Sequence, residues 1–229
     1  MKLQLLTHPG LPLSISILND AKFKQESLDP TLFPNVGSMP FFIPTTSVVS
    51  PNFLSHIPGD VKVHKGFADT HGKSANEVLS AVKSGLQSTG TNSVLVTGHS
   101  LGAAIATMDA LMLYQNLGSS VSIKAVVFGL PRGGNVAFAN LIDSQIGNQF
   151  TYVTHGNDPV PNLPPRDLGY HHSAGEVHIP GSDETGTVAC PGQENVHCQV
   201  GNSILHTSLS DHLGPYFAGM MMGRSVCPL

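Results

Sequence analysis

The chain has 229 residues, 40% of them hydrophobic and 11% charged, a balance that supports a packed core and excludes a disordered or collagen-like polypeptide. Its length fits one domain, residues 1–229. Eleven Lys and Arg against fifteen Asp and Glu give a formal charge of -4 with no basic stripe, which argues against a nucleic-acid partner and for an uncharged or apolar substrate.

In the first sixty residues, Pro30, Pro34, Pro40, Pro44, Pro51 and Pro58 prevent any long helix, so loop with short extended pieces is expected. Met1-Lys2 followed by Leu3, Leu5 and Leu6 starts like a secretory signal. His8-Pro9-Gly10 then interrupts the apolar run, and no signal peptide is read there. Ser74-Ala75-Asn76-Glu77 has the form of a capping box, Val78, Leu79, Val82 and Leu86 follow at helical spacing, and Gly90 supplies a stop, which predicts an amphipathic helix. Ser93–Thr97 is a short β-branched run that predicts a strand. Leu101–Leu117 is apolar on nearly every face up to Gly118 and predicts a helix buried against the sheet. Ile123–Phe128 reads as a strand, Asn135–Ile146 as a helix carrying Phe138, Leu141 and Ile142, and Gln149–Thr154 as a third strand. Such alternation predicts an α/β fold with a mostly parallel sheet and crossover helices. No apolar run reaches the roughly 20 residues needed to span a bilayer.

Gly98-His99-Ser100-Leu101-Gly102 stands between a strand and a buried helix, the context that gives Gly-x-Ser-x-Gly its meaning in a chain with 24 glycines. A tight strand-to-helix turn brings neighbouring backbone close, so the positions flanking the serine must lack bulk. Ser100 would then project from the sheet edge as a nucleophile, with the Leu101 N–H as an oxyanion donor at the helix N-terminus. A serine hydroxyl is a weak nucleophile at neutral pH and needs an imidazole base and a carboxylate to fix that base's tautomer. Chain order in such folds is Ser, acid, His. Asp158, in the loop after the third strand, is the expected acid, although a residue before Pro159 also suits an Asx turn. Asp143, Asp167, Asp183 and Glu184 read as surface charges. Six of the twelve histidines follow the acid: His171, His172, His178, His197, His206 and His212. His212 is preferred because an apolar C-terminal segment follows it, but spacing alone does not separate it from His206. His99 is expected to pack or hydrogen-bond in the turn. Cys190 and Cys198 could close a small loop worth about 2.5 kcal/mol, or remain thiols like Cys227. No Cys-x-x-Cys spacing points to zinc.

At this point the chain resembles the class 3 fungal lipases, of the α/β-hydrolase fold. The resemblance runs from about Leu18 to the C-terminus. It rests on Leu28–Pro34, Val63-His64-Lys65-Gly66-Phe67, Gly98–Gly102, Gly129-Leu130-Pro131-Arg132-Gly133-Gly134-Asn135, Asp158–Pro161, Tyr170-His171-His172 and Asp211-His212. It implies Ser100 as nucleophile, Asp158 as acid and His212 as base, in an enzyme that hydrolyses carboxylic esters, acylglycerols above all, with no cofactor and no metal. It further implies a monomeric extracellular protein meeting its substrate at a lipid–water interface, and a Cys190–Cys198 disulfide. Members of the family carry, ahead of Leu18, a signal peptide, early strands and a Gly-Thr motif that precedes a second oxyanion donor. Thr7-His8-Pro9 is a weak stand-in for that motif, Gly10–Ile17 corresponds to the lid, and Cys227 resembles the partner of an N-terminal cysteine. The expectation is therefore an N-terminally truncated chain with a bare sheet edge beside the serine's strand. Two alternatives follow: a non-catalytic remnant of the scaffold, or a feruloyl-type or short-chain esterase.

Overall fold

The structure, a computed structural model, describes residues 57–181, 185–202 and 206–222, with Leu54 and the backbone of three N-terminal strands. Those strands are β1 (Lys2–Leu6), β2 (Leu13–Leu18) and β3 (Thr46–Ser47). Then come β4 (Val63–His64), α1 (Lys65–Gly72), α2 (Ala75–Thr89), β5 (Ser93–His99), α3 (Leu101–Leu117), β6 (Ser122–Phe128) and β7 (Gly134–Asn135). The chain continues through α4 (Val136–Ile146), β8 (Phe150–His155), β9 (Tyr170–His171), β10 (Glu176–Ile179), β11 (Val188–Cys190) and α5 (Leu209–His212).

Seven strands form one sheet in the order β1-β2-β5-β6-β8-β10-β11, parallel from β2 to β10 and antiparallel at each edge. β3, β4, β7 and β9 make a second, antiparallel sheet. The parallel arrangement follows from the strand–helix alternation, because a crossover helix returns the chain to the end of the sheet where the previous strand began. In α3, every residue from Gly102 to Leu113 is buried, as its all-round apolar sequence predicts. Ile105, Met108, Leu111, Met112 and Leu113 are each at most 1% exposed, and side chains buried this fully contribute about 1.5–3 kcal/mol apiece. α3 also buries a polar pair: Asp109 lies 3.1 Å from His71 Nε2 of α1, and burial pushes its carboxyl upward while the His71 bond opposes that shift.

The helix punctuation agrees with the sequence at Gly90 and differs at Ser74. Gly90 ends α2 with φ 68°, a left-handed conformation that glycine adopts without steric cost, and Asn135 caps α4 by accepting from the Phe138 N–H at 3.1 Å. The expected capping box at Ser74 does not form. Ser74 occupies the N-cap position of α2, but its hydroxyl turns back toward the His71 carbonyl of α1, three residues earlier.

Two N-terminal expectations also need correction. Leu13–Leu18 is a strand, not a lid segment: it pairs with β1 and runs parallel to β5, with Ile17 opposite Gly98. The edge of β5 is consequently covered by β2. Thr7-His8-Pro9, Asp183, Glu184 and Cys227 lie outside the described residues.

Candidate active site

β5 runs directly into α3 at Ser100, whose backbone takes φ 58° and ψ -128°. A non-glycine residue held this way costs on the order of 1–3 kcal/mol. A Cβ at Gly98 would stand 2.4 Å from the Gly102 carbonyl oxygen, so only glycine permits so tight a turn there. Backbone bonds hold it from both sides: Ser100 N–H donates to Phe128 O at 3.0 Å, and Ala103 N–H donates to Ser100 O at 2.9 Å. Leu101 opens α3, where first-turn N–H groups lack intrahelical acceptors and the helix dipole is positive.

His212 ends α5 and reaches back across 112 residues of sequence, its Nε2 lying 2.8 Å from Ser100 Oγ. On the other side its Nδ1 lies 2.7 Å from Asp158 Oδ2. A carboxylate only accepts, so Nδ1 carries the proton and Nε2 is left to accept from the serine hydroxyl. Asp158 is fully buried, and its other oxygen accepts from the Val160 N–H at 2.8 Å. Asp158 therefore makes the Asx turn as well as facing the imidazole. His206, the competing base, is exposed. Asp143 is not a solvated surface charge, because it accepts from Ala174 N–H and from Gln193 Nε2.

The imidazole fits because Gly129, at the end of β6 with φ 55°, leaves it room. A Cβ there would stand 2.9 Å from His212 Cε1 and Nδ1. The His212 carbonyl accepts from His99 Nε2 at 2.7 Å and from the Tyr216 hydroxyl at 3.1 Å. Burial, and then the neighbouring His212, lower His99 to about 4, so it is a neutral donor near neutral pH. Burial, and then the Asp158 and Asp211 carboxylates, push the Tyr216 hydroxyl well up, keeping it protonated.

Several of these partners were not singled out from the sequence. α5 is stitched to the acid loop by Asp211 Oδ2, which accepts from Asn157 N–H at 2.8 Å, and by Ser208 N–H, which donates to Asn157 O at 3.0 Å. Ser208 also caps α5 through Asp211 N–H, so Ser208-Leu209-Ser210-Asp211 carried a capping signal of the kind read at Ser74. His155 bridges the Asp211 and Gly181 carbonyls at 3.0 and 2.8 Å. Arg132 and Glu194 form a buried two-bond pair at 2.7 and 2.8 Å. Burial opposes the Glu194 charge, yet the Arg132 guanidinium and the His172 N–H hold its carboxyl down at about 2. Burial, and then Arg132, lower His172 to about 4. Nothing in one dimension pairs Arg132 with a residue 62 positions away. Cys190 and Cys198 are joined by a disulfide.

A mostly parallel sheet flanked by helices, with a strained serine at a strand-to-helix turn, defines an α/β-hydrolase fold. The profile of the class 3 lipases, "Lipase (class 3)", matches residues 18–168. The chain belongs to that family. It is 37% identical over 169 residues to a secreted mono- and diacylglycerol lipase of Malassezia restricta, covering 74% of this chain and 53% of the relative. The chain thus spans about half the length of the curated relatives it matches. Among solved structures it resembles lipase II from Rhizopus niveus, 31% identical with a TM-score of 0.63, covering 75% of this chain and 62% of the other. A triacylglycerol lipase described as having a serine protease triad at its catalytic centre is 32% identical, with a TM-score of 0.67 over 84% of this chain and 68% of that one.

Proposed function

We propose that the chain hydrolyses carboxylic esters, with acylglycerols as the substrate class, through an acyl-enzyme on Ser100. The observation that carries this reading is the continuous line Ser100 Oγ, His212, Asp158, with links of 2.8 and 2.7 Å beside a strained turn. His212 Nε2 takes the hydroxyl proton as Ser100 Oγ bonds to the ester carbon, and the negative charge formed on the carbonyl oxygen turns toward the Leu101 N–H. The imidazolium, fixed by Asp158, then gives its proton to the departing alcohol. Water repeats the sequence against the acyl-enzyme and releases the acid. This chemistry needs no cofactor.

Acylglycerol preference is supported by relatives named mono- and diacylglycerol lipases, and extracellular placement by relatives named secreted together with the disulfide. The chain is read as a monomer acting on lipid presented at a water interface. No helix among the described residues is long and apolar enough to cross a membrane.

A fluorophosphonate probe tests the reading. Stoichiometric labelling that disappears in Ser100→Ala is the expected result, and continued labelling of that variant rules out Ser100 as the nucleophile. A well-folded wild-type chain that takes no label returns the remnant reading. Initial rates on mono-, di- and triacylglycerols against short-chain and feruloyl esters decide the substrate class.

A further inference from the structure

The loop that carries Asp158 has an unusual polar balance. From Asp158 to Pro164 it contains Pro159, Pro161 and Pro164, so three of its residues bring a carbonyl without an N–H. Much of the loop is buried, and its surplus acceptors need donors from elsewhere. Two come from within it: Asn162 N–H to Pro159 O at 3.1 Å and Leu163 N–H to Val160 O at 2.9 Å. The remaining five carbonyls are met from outside. Gln199 Nε2 donates to Asp158 O at 2.5 Å and His172 Nε2 to Pro161 O at 2.8 Å. Arg132 supplies the other three: Nη1 donates to Asn162 O at 2.6 Å and Pro164 O at 3.1 Å, and the backbone N–H donates to Leu163 O at 2.8 Å.

A guanidinium suits this work because it has five donors and no acceptor. Arg132 is only 2% exposed, and its remaining edge is closed by Glu194. Glu194 sits inside the Cys190–Cys198 loop with φ 48° and also accepts from His172 N–H at 2.7 Å. The disulfide loop, the segment after β6 and the acid loop therefore meet at one ion pair.

We infer that Arg132, backed by Glu194, is a positioning residue for the triad: it fixes the carbonyls of the acid loop and so holds Asp158 against His212. The inference rests on the triad reading above. It assigns Arg132 no contact with substrate, and gives the disulfide loop a part in catalysis through Glu194. The sequence pattern agrees, since the segment Gly129-Leu130-Pro131-Arg132 brings Gly129 against the imidazole and Arg132 under the acid loop, three residues apart.

The test separates positioning from filling space. Arg132→Met/Glu194→Leu replaces the buried pair by apolar side chains of similar size, which avoids the uncompensated buried charge that a single removal would leave. Wild type and double variant are compared by thermal melting, by the rate of fluorophosphonate labelling, and by kcat and KM for a soluble short-chain ester across pH. A chain that still folds, with a lower melting point because Asn162 O, Pro164 O and His172 N–H lose their partners, and with kcat down by about 10²-fold and KM little changed well below the melt, is the expected result, since small misplacements at a catalytic group cost that much. The acidic limb of the pH–rate profile should also move to lower pH, because a less firmly placed Asp158 carboxylate stabilises the protonated imidazole less. Wild-type kcat and an unmoved limb in the folded double variant overturn the inference and leave the triad reading intact. If the double variant does not fold, the isosteric Glu194→Gln gives the same decision, as its amide turns a donor toward Arg132 Nη2: an unmoved kcat and limb overturn the inference, and a fall in both supports it. A folded wild-type chain without label sinks the triad reading and this inference together.

Discussion

Replacing Asp158 by asparagine reverses one proton, and the structure says which. Oδ1 of Asp158 accepts from Val160 N–H at 2.8 Å, while Oδ2 faces His212 Nδ1 at 2.7 Å. In Asp158→Asn the amide oxygen stays toward Val160, because an NH2 there would meet another donor, and Nδ2 is turned toward the ring. An amide nitrogen only donates, so Nδ1 must give up its proton and Nε2 must carry one. That proton then points at Ser100 Oγ, 2.8 Å away, and the ring has no lone pair to receive the serine hydrogen. Loss of the correct tautomer in a Ser-His-Asp arrangement lowers kcat by about 10⁴, or about 5.5 kcal/mol of barrier. Both hydrogen bonds of the side chain survive, so the melting temperature should move little. The assay is kcat and KM on a soluble p-nitrophenyl ester, with thermal melting of the same samples. A folded variant within tenfold of wild-type kcat would refute the assigned roles of Asp158 and His212.

Two further outcomes follow from the same structure. Gly98→Ala puts a methyl 2.4 Å from the Gly102 carbonyl oxygen, and relieving it by backbone movement should lower stability by about 1–3 kcal/mol in urea denaturation and slow fluorophosphonate labelling; unchanged values for both would mean the turn is looser than described. Stability should also fall on acidification in two stages. His99 and His172 are held at about 4, below the usual value of about 6.5, so the unfolded chain takes up their protons first and stability present above that value is lost as pH falls toward 4. Glu194, held at about 2, adds a second loss below the ordinary glutamate value of about 4.3. Urea titrations between pH 7 and 3 check this, and a flat profile from 6.5 to 4 would contradict the neutral state of the two histidines.

Much of the scaffold was legible in one dimension because it rests on local periodicity. The apolar run of α3, the stop at Gly90 and the strand–helix alternation each reflect neighbours within a few positions, where hydrophobic spacing and backbone preference act. The Ser100 turn was readable for the same reason, since Gly98 and Gly102 flank it. Local signals also misled. The capping pattern at Ser74 was not used, and its hydroxyl donates instead to the His71 carbonyl of the preceding α1, whereas the equivalent pattern at Ser208 does cap α5.

Composition and spacing by themselves determined an α/β architecture, a strained serine turn and a short list of acids and bases. They could not separate His212 from His206, because that choice depends on which imidazole the C-terminal turn carries to within 2.8 Å of Ser100. Only the tertiary structure decided the partners of Arg132, the two carbonyls bridged by His155 and the strand role of Leu13–Leu18. Each of these is an interaction between segments far apart in the chain. Its energy comes from satisfying a buried donor or acceptor, and no residue pattern records where that partner will be until the sheet has brought the loops together.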